Sequence, residues 1–283
     1  MSRRLATVVL GFALAVGAGV AQPPAAVPVL RFKWDTGRTL TYRVIQQTVV
    51  QETSLDGKTE KPVTTEARTS MTLTRTWTVK EVDAEGVATL DMRITALKND
   101  IRQPDGTAIV RDSANPDHAK EMAEYLNKPI VVVRVDGQGR LVEVKEARGG
   151  SVARLHAELP FRLTLPDAAP AAGQGWERTF AVKLDPPAGT GESHDFLQKF
   201  TFKEAKEGLA VVGVRTALKA PPKTVGEQVP LVPMLWTGEV YFHIESGRYH
   251  AARLTAVAEL VNHLGEGSKF VYQSTFNEDA AEK

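Results

Sequence analysis

The sequence of 283 residues contains no cysteine. This absence excludes a disulfide framework, a thiolate zinc site and a cysteine nucleophile. Charge of one sign is not in excess either, because 35 lysines and arginines stand against 34 aspartates and glutamates, a formal charge of +1. A dedicated nucleic-acid-binding protein normally shows a basic excess, so the composition argues against that class.

The patterns that carry common enzyme chemistry are also missing. No serine lies in a G-x-S-x-G elbow, no Walker loop or helix-opening G-x-G-x-x-G occurs, and none of the six histidines forms an H-E-x-x-H pair. His243 and His250 share one short segment, and we expect them on two strands of a hairpin. His194 and Asp195 follow a glycine-rich stretch that predicts a loop. We therefore predict a protein that is not an enzyme, with no catalytic residue, no metal site and no cofactor.

One apolar run is long, and it lies at the N-terminus. Arg3-Arg4 supplies positive charge, Leu5–Val16 is almost uncharged, and Gly19-Val20-Ala21 offers small residues where a signal peptidase reads the chain. A membrane span needs about 20 residues, so the run is too short. We predict a signal peptide at 1–21, a Pro/Ala linker at 22–29, and an exported chain, periplasmic or extracellular, without a transmembrane segment after cleavage. An uncleaved anchor is the alternative.

Alternation with a period of two dominates the rest of the chain. Between Met71 and Lys80, the larger apolar residues fall on one side and threonines on the other, as in a half-buried antiparallel strand. Turn signals such as Asp136-Gly137 and Ser246-Gly247 separate similar segments. Only two stretches indicate helix, one opening at Asn115-Pro116 and one at 151–159. We predict an all-β fold with minor α content.

The two halves of the sequence resemble each other. Lys80-Glu81 matches Lys203-Glu204, and Thr95-Ala96-Leu97-Lys98 recurs as Thr216-Ala217-Leu218-Lys219. Downstream, Gly139-Arg140 is echoed by Gly247-Arg248; upstream, Thr36-Gly37 parallels Gln174-Gly175. The matches occur in the same order. They predict a duplicated antiparallel sheet that curls into a half-barrel or a barrel-like sandwich. Chance similarity of strand-turn-strand patterns is the alternative.

The duplication divides the chain into units of unequal content. We predict a first β-rich repeat at 30–165, a second at 166–277 and a polar tail at 278–283. Between the matched segments, the first copy carries an insert at 99–138 and the second an insert at 220–246. Because function often resides in divergent loops on a shared scaffold, the inserts are the first places to look for a binding surface.

These motifs resemble two known groups of proteins. Thr36-Gly37, Leu159-Pro160 and Gly175-Trp176, together with the signal peptide, look like those of uncharacterised exported β-rich proteins of planctomycete-type bacteria. The strands around Gly139-Arg140 and Gly247-Arg248 look, more weakly, like periplasmic lipoprotein carriers. The second resemblance implies an open half-barrel around lipid and assigns no residue of this sequence.

An apolar stretch in the second insert is the candidate contact for a ligand or partner. It ends at a tryptophan, and its two prolines make it a poor central strand. It would either cover the core or present an apolar patch. Its residues are Pro230, Leu231, Val232, Pro233, Met234, Leu235 and Trp236.

Two classes of function remain open from the sequence. The first is a non-enzymatic binding or interaction module of the cell envelope, for a lipid or other apolar ligand or for an envelope protein. The second is a structural or assembly domain with a filled core and no small-molecule ligand. Neither class involves nucleic acid.

Overall fold

Residues 27–148, 155, 162–186 and 188–281 are described by the structure, a computed structural model. The predicted signal peptide at 1–21 lies outside these residues, and so does all of the predicted helix at 151–159 except Leu155. The described part is mostly β, as the period-two pattern predicts. Its strands are β1 (Thr39–Leu55), β2 (Pro62–Val82), β3 (Ala88–Arg102), β4 (Ala108–Asp112), β5 (Pro129–Val135), β6 (Leu141–Ala147), β7 (Gly175–Lys183), β8 (Ser193–Lys206), β9 (Leu209–Leu218), β10 (Thr237–His243), β11 (Arg248–Val261) and β12 (Lys269–Ala280).

All twelve strands belong to one antiparallel sheet that is not closed by strand pairing. Its order is β6-β5-β3-β2-β1-β12-β11-β10-β9-β8-β7, and β4 pairs with β3 beside this path. The first half of the chain therefore occupies one side of the sheet and the second half the other. Each half runs as a five-strand meander in the same direction, and β12 lies between them. This arrangement is the all-β, curled sheet that the sequence predicts.

Two irregularities in the sheet coincide with the strongest sequence match. Lys80 is an extra residue between the β2–β3 pairs Val79–Leu90 and Glu81–Thr89. Lys203 is the extra residue at the same place in the β8–β9 hairpin, between pairs made by Phe202 and Glu204. A bulge bends and twists a strand, so its position is part of the architecture. The matched lysines thus hold equivalent structural positions.

Backbone hydrogen bonds show that the upstream sequence match, Gly37 with Gly175, is offset by two residues from the structural equivalence. The amide of Gly37 donates to the carbonyl of Val79, and Val79 donates back to Arg38. In the second half, Gly173 donates to Phe202, which donates back to Gln174. Both glycines have positive φ, 83° and 80°. Gly173, rather than the Gly175 of the sequence comparison, is therefore the equivalent of Gly37, because it ties the chain to the residue before the bulge.

Each of the two inserts contains a helical element, and Leu155, the described residue of the predicted helix at 151–159, is also helical. Helix α1 (Pro116–Glu121) begins after the cap Asn115, whose side chain accepts a hydrogen bond from the Asp117 amide. Turns follow the helix, and Asn127 donates its amide to the carbonyl of Ile94 in β3. A 3-10 helix (Gly226–Met234) forms in the second insert.

The inner face of the curled sheet packs around an N-terminal segment, residues 30–34. Its amides reach both halves: Phe32 donates to Gly137 in the β5–β6 turn, and Lys33 donates to Gly247 in the β10–β11 turn. The ring of Phe32 stacks on Trp34 and meets the edge of Phe242. Trp77, which the alternation assigns to the core, is fully buried. This end of the sheet is filled by side chains.

Two sequence expectations about local structure are wrong. The predicted polar tail at 278–283 begins inside β12, because Glu278 continues the inward alternation of Phe276 and is completely buried. His194 and Asp195 lie in β8 rather than in a loop, because β8 starts to pair with β7 at Ser193. In both places a charged or glycine-rich sequence conceals a strand: β12 pairs with the distant β1, and β8 pairs with β7 of the same hairpin.

The turns around the N-terminal segment give a direct test of packing. A Cβ added at Gly139 would lie 2.5 Å from a ring carbon of Phe32 and 2.8 Å from the carbonyl oxygen of Leu163. Gly86 has the same φ of +79° but open space around it. We expect Gly86→Ala to lower the free energy of unfolding by about 1 kcal/mol through backbone strain. We expect Gly139→Ala to lower it by about 2–4 kcal/mol, because overpacking adds to the strain. Urea unfolding of both variants measures the difference, and equal losses would contradict this packing.

Candidate functional site

A buried ion pair joins the two halves of the sheet. Arg75 of β2 reaches Glu278 of β12 in bidentate fashion, with Nε to Oε1 at 2.6 Å and Nη2 to Oε2 at 2.7 Å. The hydroxyl of Tyr249 donates to the same carboxylate at 2.8 Å, and the hydroxyl of Tyr42 donates to the Tyr249 carbonyl at 3.1 Å. A buried carboxylate is costly unless it is paired with a cation and accepts hydrogen bonds, as Glu278 does from Arg75 and Tyr249.

The two tyrosines of this network have raised pKa values. Burial raises the pKa of Tyr249 well above its usual value, and the nearby negative charge of Glu278 adds to the effect. The same two causes, in the same order, raise the pKa of Tyr42. Both phenols therefore stay protonated and act as donors at any physiological pH.

Above this network lies an opening in the sheet that we call the end pocket. Strand β12 ends at Ala280, opposite Tyr42, whereas β1 begins earlier, at Thr39. On the other side, the first β11–β12 pair is Ala251–Asp279, although β11 begins at Arg248. The resulting pocket has a volume of about 400 Å³. It lies between the first residues of β1 and β11, beyond the end of β12, where no strand separates them.

The end pocket is lined by cationic and hydrogen-bonding side chains. Arg38 and Arg248 both contact Oδ2 of Asp35, each at 3.2 Å. His243 and His250 also line the pocket. They lie on β10 and β11, as expected, and His250 is the extra residue between the β10–β11 pairs Tyr241–Ala251 and Phe242–Tyr249. From the sequence, the two histidines are recognised as neighbours, Arg248 only as part of the repeat match, and Arg38 not at all.

A second candidate, which we call the arm groove, lies on the outward face of β1–β4. The inward side of β1 is marked by the buried Tyr42 and Val44, so Gln47 and Val49 point to the opposite face. The groove has a volume of about 470 Å³. Directly opposed residues share a face. Two rows of such residues line the groove, Gln47–Ser70–Asp100–Val110 and Val49–Arg68–Arg102–Ala108.

The arm groove combines aliphatic surface with two arginines. Val110 is 47% exposed on the short edge strand β4. Arg68 and Arg102 are directly opposed across β2 and β3, an arrangement that is unfavourable for like charges. Arg68 contacts Glu66, whereas Arg102 forms no ion pair within the described part of the chain. The groove can therefore hold an apolar group with an acidic end.

The candidate contact stretch of the second insert is mostly buried. Leu231, Val232, Met234 and Trp236 are at most 5% exposed, and Pro230, Pro233 and Leu235 are half-buried. Leu231 and Met234 pack with Phe180 and other residues of β7 and β8. Trp236 lies against Phe276 of β12. The stretch thus packs between the β7–β8 hairpin and β12, and a ligand would meet only its half-buried residues.

No group of three or more histidine, aspartate or glutamate side chains that could hold a metal ion occurs in the described ranges. No helix in those ranges is both long enough and apolar enough to cross a membrane.

Comparison with known proteins gives distant matches only. No protein-family model matches the chain, and no curated protein matches it. A solved structure titled "Lipid-protein interactions in lipovitellin" is 14% identical with a TM-score of 0.40, over 88% of this chain and 26% of that one. DynF from the dynemicin biosynthesis pathway of Micromonospora chersina is 10% identical with a TM-score of 0.18, over 92% of this chain and 88% of that one. Similarity at this level carries no inference about a ligand.

Removing the buried carboxylate should weaken the whole fold. In Glu278→Ala the guanidinium of Arg75 loses its counterion while it stays buried, so we expect a loss of about 3–5 kcal/mol in the free energy of unfolding. Asp279→Ala is the matched control, since Asp279 is exposed and its pair with Arg253 should contribute less than about 1 kcal/mol. Urea unfolding compares them. Similar losses in both variants would contradict a structural role for the ion pair.

The raised tyrosine pKa values predict behaviour in alkali. An unfolded tyrosine ionises near pH 10, whereas Tyr42 and Tyr249 do so only at higher pH in the folded state. Their contribution to stability is therefore complete below pH 10 and is lost as pH rises further. Absorbance at 295 nm should show that part of the five-tyrosine signal appears late, together with unfolding. A single step near pH 10 with native circular dichroism would refute this.

Proposed function

We propose that this protein is a non-enzymatic binding module of the cell envelope, and that it holds an amphipathic ligand with an apolar body and an acidic head group in the arm groove. The observation that carries the proposal is the pair of opposed arginines, Arg68 and Arg102, at the edge of an exposed aliphatic surface. An acidic head group would relieve their mutual repulsion, and the apolar body would cover Val49 and Val110.

The size and composition of the groove support this class of ligand. A volume of about 470 Å³ lies within the range of small-molecule sites, roughly 300–1,000 Å³. Arg68 is paired with Glu66 beside the groove, so Arg102, which forms no ion pair among the described residues, is the arginine that an acidic head group would meet. The ligand would bind on the outward face, because side chains and the 3-10 helix occupy the inner face near Trp77 and Trp236.

The non-enzymatic and exported character of the protein rests on its sequence. No nucleophile pattern or cofactor loop supports a reaction, and the N-terminal 21 residues have the pattern of a signal peptide. Both remain parts of the proposal.

A structural or assembly domain is the second candidate. It is favoured by the filled end of the sheet, where Phe32, Trp77 and Phe242 belong to one core cluster. In that case the arm groove would be a feature of the sheet surface without an occupant, and the protein would bind no amphipathic molecule.

Binding of a fluorescent amphipathic anion separates the two candidates. We expect anilinonaphthalene sulfonate to bind the folded protein and oleate to displace it. Val110→Asp should weaken the binding of both at least about tenfold, because it places a charge in the apolar surface and adds repulsion. Arg102→Glu should have a similar effect. Fluorescence titration of the folded variants gives the affinities.

Val142→Asp is the matched control, because Val142 is 52% exposed on β6, outside the groove. Its affinity should equal that of the unaltered protein. Absence of binding in the unaltered protein, or equal affinities in Val110→Asp and Val142→Asp, would overturn the proposal and favour the assembly domain.

A further inference from the structure

The end pocket holds two guanidinium groups around one carboxylate oxygen. Arg38 donates from Nη1 and Arg248 from Nη2, and each is 3.2 Å from Oδ2 of Asp35. Two arginines from distant parts of the chain thus converge on an oxyanion, the geometry that arginine uses to bind carboxylates and phosphates.

The pocket also has a hydrogen-bond donor that Asp35 does not engage. Nε of Arg248 has no hydrogen-bond partner among the described residues, but it is buried and so is not open to the pocket. Nδ1 of His243 accepts a hydrogen bond from the Ser246 amide at 3.3 Å. The neutral His243 ring therefore carries its proton on Nε2, which makes that nitrogen a donor.

The charge balance also favours an anion. Arg38 and Arg248 carry two positive charges against the single negative charge of Asp35. The neighbouring carboxylate of Glu278 is already bound by Arg75 and Tyr249. One positive charge thus remains without a described counterion at the pocket, whose volume of about 400 Å³ suits a small ligand.

The duplication provides an internal comparison. A pocket of about 380 Å³ lies between the starts of β6 and β7, and Arg140 lines it at the position equivalent to Arg248. Nε of Arg140, however, donates to Asp136 of its own turn at 2.7 Å. The two pockets share a scaffold, but only the end pocket brings two arginines to one carboxylate among the described residues.

We infer that the end pocket binds the oxyanion group of a small ligand, a carboxylate or a phosphate, between Arg38 and Arg248. Asp35 occupies part of this position in the free protein and competes with the ligand. The site is separate from the arm groove, so either inference can fail without the other.

Isothermal titration with succinate and, separately, with inorganic phosphate tests the site and distinguishes the two head groups. We expect the unaltered protein to bind at least one of them, and Arg248→Gln and Arg38→Gln each to weaken binding about tenfold or more. Asp35→Asn should tighten binding about tenfold, because it removes the competing carboxylate. A merely structural role of these residues would not produce opposite changes.

Arg140→Gln, at the equivalent position of the other half, should leave the affinity unchanged. If Arg248→Gln or Asp35→Asn fails to fold, Arg38→Gln decides the matter, since the Arg38 side chain is 43% exposed. Failure of both anions to bind below about 10 mM, or unchanged affinity in folded Arg38→Gln, would overturn the inference.

Discussion

The ion pair between Arg75 and Glu278 is the interaction on which the joined sheet depends. Arg75 lies on β2 and Glu278 on β12, so the contact passes over β1 and connects residues 203 positions apart. A charge so deeply buried is tolerated only with its partner and with additional donors, here the hydroxyl of Tyr249. Backbone pairing holds β12 between β1 and β11, and the ion pair adds a side-chain link from β12 to β2 of the first half. Where β12 stops, the end pocket begins.

The junction between the edge strands β6 and β7 shows what the pairing of β12 adds. The edge strands β6 and β7 are bridged by residues between the two halves: Leu165 donates its amide to Gln138, and Trp176 donates its indole N–H to Thr164. This bridge occupies the place that β12 takes between β11 and β1. Full strand pairing joins the halves through β12, whereas β6 and β7 form no strand pairs with each other among the described residues, so the sheet is curled but not closed.

The sequence predicts the repeated scaffold well because its signals are local. Alternation is visible within ten residues, and the matched lysines Lys80 and Lys203 lie at the bulges themselves. Glu278 is missed because an acidic residue near the chain end resembles a solvated tail, although its spacing from Phe276 places it on the inner face. The end pocket is missed because Asp35 and Arg248 meet only after the sheet has formed, across 213 positions of sequence.

The two inserts, which the sequence comparison singles out, differ in their structural roles. The first contributes β4, whose Ala108 and Val110 form one wall of the arm groove. The second contributes the 3-10 helix and Trp236, which fill the space between β12 and the β7–β8 hairpin. An apolar sequence in a divergent loop is therefore no guide to a ligand site by itself, because the same residues serve to fill the core. What distinguishes the first insert is that it adds an edge strand with exposed aliphatic side chains beside Arg102, which forms no ion pair among the described residues. The second insert thus fills the interior, whereas the first extends the outer face.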